Sequence, residues 1–240
     1  MAIYIRPSKT FFFSFLTKEI QTVGNGIGLD AACANMKNRH MFRTASYYGV
    51  DINLELVKTG LNKYQDSSTF GILADMSKLN PIPEGSVDLI VSSNTLYTIP
   101  DAQRIDAIQH LIRITAPSGK LILEVPIAND FVTIQKLTNE YFEQVQIVHY
   151  QNFLSLAYEK IFERNGNLGS HPIAGSKPFL VLSWLISRAE YLTRYFRFLN
   201  KHVVFICTHK KSQIKNEFDL KNLPVLSDKI YVLPGVKATS

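Results

Sequence analysis

Two aspartates placed where strands should end are the residues of this chain best suited to chemistry. Asp51 closes the run Tyr47-Tyr48-Gly49-Val50-Asp51, and Asp75 follows 24 residues later in Ala74-Asp75-Met76. Ser86-Val87-Asp88-Leu89-Ile90-Val91-Ser92-Ser93-Asn94 and Ser118-Gly119-Lys120-Leu121-Ile122-Leu123-Glu124-Val125 have a related form. A short apolar run closed by a small or acidic polar residue is how a parallel strand reads when its carboxyl end opens onto a ligand. A carboxylate there accepts hydrogen bonds from ribose hydroxyls or from an adenine amino group, so the pair predicts an adenosine-type cofactor.

Helices must lie between these strands to place them side by side. Residues 54–64 carry helical apolar spacing between the Asp51 and Asp75 strands. Residues 101–115 do the same, with Ile105, Ile108, Leu111, Ile112 and Ile114 on one face and Asp101 at the start. Ala116-Pro117-Ser118-Gly119 then stops that helix and turns into the next strand. Helix near 129–142, strand near 143–149, helix over 153–163, a Gly/Pro/Ser-rich loop over 165–178 and an aromatic helix over 179–199 follow. His202-Val203-Val204-Phe205-Ile206-Cys207 closes the sheet. Strands alternating with helices of this size predict an α/β fold with a parallel sheet.

Taken in order, these pieces resemble the class I S-adenosylmethionine-dependent methyltransferases, in particular their small-molecule branch. The resemblance covers roughly 28–150, with 202–208 matching the family's closing antiparallel strand. Its first segment here is Gly28-Leu29-Asp30-Ala31-Ala32-Cys33-Ala34-Asn35-Met36, and Asp51 comes 21 residues after Asp30. Asp75-Met76 occupies the adenine-facing position, Asn94-Thr95-Leu96-Tyr97-Thr98-Ile99-Pro100-Asp101 matches the segment after the fourth strand, and Pro117-Ser118-Gly119 replaces Pro-Gly-Gly. The resemblance implies a Rossmann-like, doubly wound, mostly parallel seven-stranded sheet with a helical cap inserted before the last strand. It also implies S-adenosylmethionine as cofactor, held by Asp30, Ala32, Ala34, Asp51, Ile52, Asp75, Met76, Ser93 and Asn94, with Asp51 on the ribose and Asp75 on the adenine. It implies methyl transfer to a small molecule, a saccharide or a lipid-linked acceptor.

The first motif departs from the family, because alanines stand at 32 and 34 where glycines are usual. If the backbone needs positive φ there, each alanine carries strain on the order of 1 kcal/mol. That departure keeps open a methyltransferase-like binding or scaffold protein without turnover. A third reading takes Gly24-Asn25-Gly26-Ile27-Gly28 as a phosphate loop after a strand at 20–23, with Asp51 falling 23 residues on, as in an NAD-dependent dehydrogenase. It gives Asp75 and the Ser-Val-Asp strand no role, so the glycines are read as a flexible approach to the first strand. Asp88 is expected to be structural. No general base is assigned. Tyr97, just past strand four, and His149, beside Tyr150 at the end of strand six, are the candidate side chains.

Composition sets the outer bounds. The 240 residues suit one sizeable core: a single domain over 1–210, a cap at about 151–200 and a tail at 211–240 that wraps the surface or stays partly disordered. Forty-six per cent hydrophobic and 19% charged residues are ordinary for a globular chain, and scattered basic residues behind the +6 charge argue against nucleic acid as partner. Two distant cysteines, Cys33 and Cys207, argue against a disulfide framework or zinc site and predict a reducing, cytoplasmic setting. Thr10-Phe11-Phe12-Phe13-Ser14-Phe15-Leu16 is too short for a membrane span and reads as a helix after Ser8 rather than a targeting segment. Trp184, Tyr191, Tyr195, Phe196 and Phe198 alternate with Arg188, Arg194, Arg197 and Lys201 in the last helix. Two readings stay open for it: a core-packed helix with a solvated basic side, or a surface for an anionic or amphiphilic acceptor with peripheral membrane contact.

Overall fold

A computed structural model describes residues 5–128, 130–162 and 176–234. Most of the loop expected at 165–178 lies outside the described residues. The chain divides into a larger unit, Ile20–Gln146 with Phe205–Ser240, and a smaller one, Met1–Glu19 with Ile147–Val204.

The larger unit holds the sheet. In chain order its elements are β1 (Ile27–Ala31), β2 (Ser46–Asp51), α2 (Leu54–Lys63), β3 (Thr69–Leu73), β4 (Val87–Ser92), α3 (Asp101–Ile114), β5 (Thr115–Pro126) and α4 (Phe131–Tyr141), after α1 (Pro7–Ile20). The strands β6 (Phe142–Asn152) and β7 (Asn200–Lys210) run from this unit into the smaller one, and β8 (Val225–Ser227) and β9 (Ile230–Val232) come last. The sheet order is β6-β7-β5-β4-β1-β2-β3-β9-β8. The α/β doubly wound fold is the expected one, but the sheet has nine strands rather than seven. Both additions come from the tail, where Gly71 N donates to Lys229 O at 2.7 Å and Leu233 N to Leu73 O at 3.0 Å. Residues with unmet backbone groups along β3 thus recruit a segment whose own periodicity is weak.

Central strands are apolar on both faces: Leu29, Ile90, Val91, Leu121, Ile122 and Leu123 are all fully buried. That is what a parallel sheet covered on both sides requires. The turn expected at 116–119 survives as an irregularity inside β5, where Val87 pairs Thr115 but Leu89 already pairs Lys120. The glycine string leads into β1 instead of following it, and 20–23 form the end of α1 and a turn rather than a strand. Gly26 has φ +89°, and a Cβ there would lie 2.2 Å from Asp88 Oδ2. Asp88 accepts from Ile27 N at 2.8 Å, a structural role. This geometry removes the phosphate-loop reading.

The smaller unit contains α1 up to Glu19, α5 (Phe153–Phe162) and α6 (Lys177–Thr193). The apolar side of α1 stacks Phe12 on Tyr150 at 4.9 Å and sets Phe11 edge-on to Tyr191 at 4.8 Å. The last helix ends at Thr193 rather than 199, with a separate turn at Arg197–Leu199. Burial in α5 and α6 is inverted. Both helices turn polar residues inward: Ser155, Tyr158 and Glu159 on one, Ser183, Ser187 and Glu190 on the other. Asn152 N donates to both carboxylate oxygens of Glu190, Ser155 Oγ donates to Oε1, and Gln151 Nε2 donates to Glu159 Oε2 at 3.0 Å. Burial, and then the neighbouring Glu159, push the Glu190 carboxyl up to about 7.

Candidate active site

The segment after β1 is held in a conformation that glycine adopts freely and alanine does not. Ala32, Ala34 and Met36 have φ of +57°, +48° and +56°. Two hydrogen bonds tie this segment to the end of β2: Cys33 N donates to Val50 O at 2.9 Å, and Ala34 N to Asp51 Oδ2 at 2.8 Å. Close approach by α2 secures its other side, since a Cβ on Gly60 would stand 2.5 Å from Met36 Cγ and 3.0 Å from the Asn35 backbone. The condition foreseen from sequence is therefore met. Both alanines carry left-handed strain, about 1–2 kcal/mol each.

Asp51 stands at the carboxyl end of β2. Its Oδ2 accepts from Ala34 N, and its Oδ1 accepts from Asn53 N at 2.9 Å. A carboxylate offers about four lone-pair sites, so one remains on each oxygen. Asp75 follows β3, where its Oδ1 accepts from Ser77 N at 2.9 Å and Ser77 Oγ at 2.8 Å. That is the turn-capping geometry of an aspartate two residues before its donor. Its Oδ2 has no hydrogen bond among the described residues, so the cap leaves one oxygen available.

A cleft of about 270 Å³ gathers these residues. Ala32, Asp51, Ile52, Asp75 and Met76 line it, together with Ala74, which sequence reasoning did not single out. Ile52 is 63% exposed, an apolar side chain left at the rim. The opposite wall is the segment after β4: Thr95, Thr98, Ile99, Pro100 and, from the first turn of α3, Gln103. Tyr97 sits in that segment's helical turn, 52% exposed, and is not among the lining residues.

Other proposed residues brace the cleft without lining it. Asp30 is buried, with Tyr47 Oη donating to Oδ2 at 2.9 Å and Asn38 Nδ2 to Oδ1 at 3.2 Å. Asn38 Nδ2 also reaches Ser93 Oγ at 3.2 Å, so Asp30 and Ser93 belong to one polar network below the β1 segment. Asn94 has φ +58°, and its N donates to Glu124 at 2.6 Å. His149 lies in the smaller unit, where its N donates to Arg194 O and burial, then Arg197, pull its imidazole below the ordinary range.

Arg104 was not visible from sequence. Though charged, it is buried on α3 and bonds the neighbouring wall: Nε to Leu96 O at 2.6 Å, Nη2 to Ile99 O at 2.9 Å, and Nη1 to Asp130. Its place on the helix looks like that of any surface arginine, so no local signal could have found it.

Burial pushes the Asp30 carboxyl up to about 7, against the pull of its bonds to Asn38 and Tyr47. An unfolded aspartate loses its proton near 3.8, so between these values the folded chain holds more protons than the unfolded one. Stability is then whole below this window and falls as pH rises through it. Glu190 contributes the same sign between 4.5 and about 7. Asp30→Asn is expected to flatten the decline, as read by urea unfolding at a series of pH values. An unchanged slope would remove Asp30 as its source.

Residues 22–123 match the family model described as "Methyltransferase domain". No curated protein matches the sequence. Among solved structures, the N-methyltransferase NodS from Bradyrhizobium japonicum, in complex with S-adenosyl-L-homocysteine, superposes with a TM-score of 0.56 at 14% identity. That match covers 85% of this chain and 88% of that one. A SAM-dependent methyltransferase from Archaeoglobus fulgidus gives 0.52 at 16% identity, covering 82% and 94%. The [4+2]-cyclase SpnF gives 0.53 at 13%, covering 83% and 81%. At these identities the structures speak for fold. They show that this chain has the Rossmann-like α/β fold of S-adenosylmethionine-dependent methyltransferases, and the match to the methyltransferase-domain model spans its motif-bearing stretch.

Proposed function

We propose that the cleft binds S-adenosylmethionine and that the protein transfers its methyl group to a small molecule, a saccharide or an amphiphilic acceptor. The observation that carries this reading is one cleft lined by both Asp51 and Asp75, at the carboxyl ends of neighbouring parallel strands. The free lone pair on each Asp51 oxygen suits a vicinal ribose diol, which needs two acceptors. Asp75 Oδ2 would accept from the adenine amino group, and Ile52 and Met76 would offer the base apolar contact. Ala32 would face the cofactor at the end of β1, where Asp30 and Ser93 fix the strand end and Asn94 and Ala34 hold the walls. When bound, the sulfonium supplies an activated methyl group, and the chain's task is alignment of the acceptor, which can supply several kcal/mol of acceleration. No base is assigned: Tyr97, in the same unit as the cleft, stays a candidate only if the acceptor must lose a proton. Titration calorimetry with S-adenosylmethionine and S-adenosylhomocysteine tests the reading, and absence of binding by both at millimolar concentration would end it.

A second reading, a binding protein without turnover, is favoured by the strained alanines. It is separable by experiment. Ala32→Gly with Ala34→Gly relieves about 1–2 kcal/mol per site, offset by about 0.5–1 kcal/mol of added chain entropy. The double variant is expected to be at least as stable as the parent on thermal unfolding. Tighter cofactor binding in it would mark a decayed site; equal binding would mean that the alanines fit as they are.

A further inference from the structure

The cofactor cleft leaves the inverted helices of the smaller unit unexplained. On α6, Val181, Leu182, Leu185, Arg188 and Leu192 recur at intervals of three and four and so share a face. All five are exposed, Leu192 to 76%, while Ser183, Ser187 and Glu190 occupy the buried side. The shorter α5 repeats the arrangement, with Phe153, Leu154 and Ile161 outward and Ser155 and Glu159 inward. A helix that faced only water and a core would have these sides exchanged. Contiguous exposed apolar surface of this kind marks a contact.

Charge selects the partner. Over 147–204 the described residues include six cations, Lys160, Lys177, Arg188, Arg194, Arg197 and Lys201, and two acids, Glu159 and Glu190. Both acids are buried, so among the described residues the exposed surface of this stretch presents cations without carboxylates. The aromatic residues suit the same boundary: Arg188 lies 4.7 Å over the Trp184 ring, and Tyr195, Phe196 and Phe198 are exposed beyond the helix. Apolar side chains flanked by cations and amphipathic rings match a bilayer surface bearing negative headgroups. Among the described residues no helix is long and apolar enough to cross a membrane, and α6 has 17 residues, so it would lie along the surface. We propose that the outward faces of α5 and α6 form an interfacial docking surface for a bilayer containing anionic lipid. This goes beyond the cofactor reading and does not depend on it.

The full chain can be floated with vesicles of phosphatidylcholine alone and of phosphatidylcholine mixed with phosphatidylglycerol. Trp184 is the chain's single tryptophan and serves as an internal reporter. Flotation with the mixed vesicles is expected, with a blue shift of Trp184 emission and release by salt. Leu185→Ser with Leu192→Ser should weaken partitioning at least about tenfold. Lys177→Gln with Arg188→Gln should weaken it about fivefold per cation. All four side chains are exposed, so melting temperatures should match the parent. No flotation with unchanged emission would overturn the proposal, and so would equal flotation with neutral vesicles. A dimer in sedimentation that the leucine pair abolishes would assign the face to a second copy and overturn it as well.

Discussion

Arg104→Ala is expected to cost the fold about 3–5 kcal/mol, seen as a fall in melting temperature of roughly 10 °C. The side chain is 7% exposed and its partner Asp130 10%, so truncation leaves a carboxylate in a poorly solvated place with its cation gone. It also strips the guanidinium donors from Leu96 O and Ile99 O, which are bonded from the same plane. Leu96 O keeps a donor in Ile99 N at 3.3 Å, but Ile99 O is left uncapped, which adds about 1–3 kcal/mol where water cannot reach it. Lysine cannot restore the set, because one ammonium lacks the planar fork that spans two carbonyls and a carboxylate. Arg104→Lys should therefore recover only part of the loss. A shift of under about 2 °C for the alanine variant would show that the segment holds its shape unaided. Since this segment is one wall of the cleft, the measurement also asks whether that wall is preformed.

Asp51→Ala should weaken S-adenosylhomocysteine binding about a hundredfold or more. Two hydrogen bonds from ribose hydroxyls to a carboxylate contribute about 1.5–3 kcal/mol each, and their sum passes the ~2.7 kcal/mol that a hundredfold change requires. The substitution also frees Ala34 N, which holds the β1 segment to β2. Asp51→Asn separates the two effects. It keeps one acceptor oxygen and most of the shape, so it should fall between parent and alanine in calorimetric affinity while unfolding near the parent's temperature. Equal affinity in all three proteins would mean that this strand end does not hold the ribose.

Much of the sheet could be read from the sequence because parallel strands advertise themselves. Runs such as Leu89-Ile90-Val91 are apolar on both faces, and the polar residue ending each run marks the carboxyl edge where a cleft must open. Asp51 and Asp75 are placed in that way, the family resemblance adds Ala32, Ile52 and Met76, and all five line one cleft. Asp30 and Ser93 sit one layer below, because an acid at a strand end can point into loop bracing as well as toward solvent, and spacing does not distinguish the two. The far wall from Thr95 to Gln103 was legible as a segment but not as a surface. Its shape depends on Arg104, whose partner lies 26 residues away in a loop.

What escaped sequence reasoning shares one cause: the deciding partner is remote. The apolar periodicity of 179–199 was evident, yet which face turns inward is set by Glu190 meeting Asn152 and Ser155, about 35 residues away. Helical spacing gives the stripe and not its direction. The tail strands are three residues each, too short for any pattern, and exist because β3 supplies the pairing groups.

That pairing changes where the sheet is vulnerable to other chains. Without it, β3 would present a row of open amides and carbonyls along a flat, largely buried strand, a ready template for edge-to-edge aggregation. With β9 laid parallel against Gly71–Leu73, the open edge moves out to β8. There only the three exposed residues Val225–Ser227 remain, in irregular register with their neighbour. A short, kinked border of this sort gives an incoming strand little to pair with. The weakly patterned tail is in effect the sheet's guard against self-association.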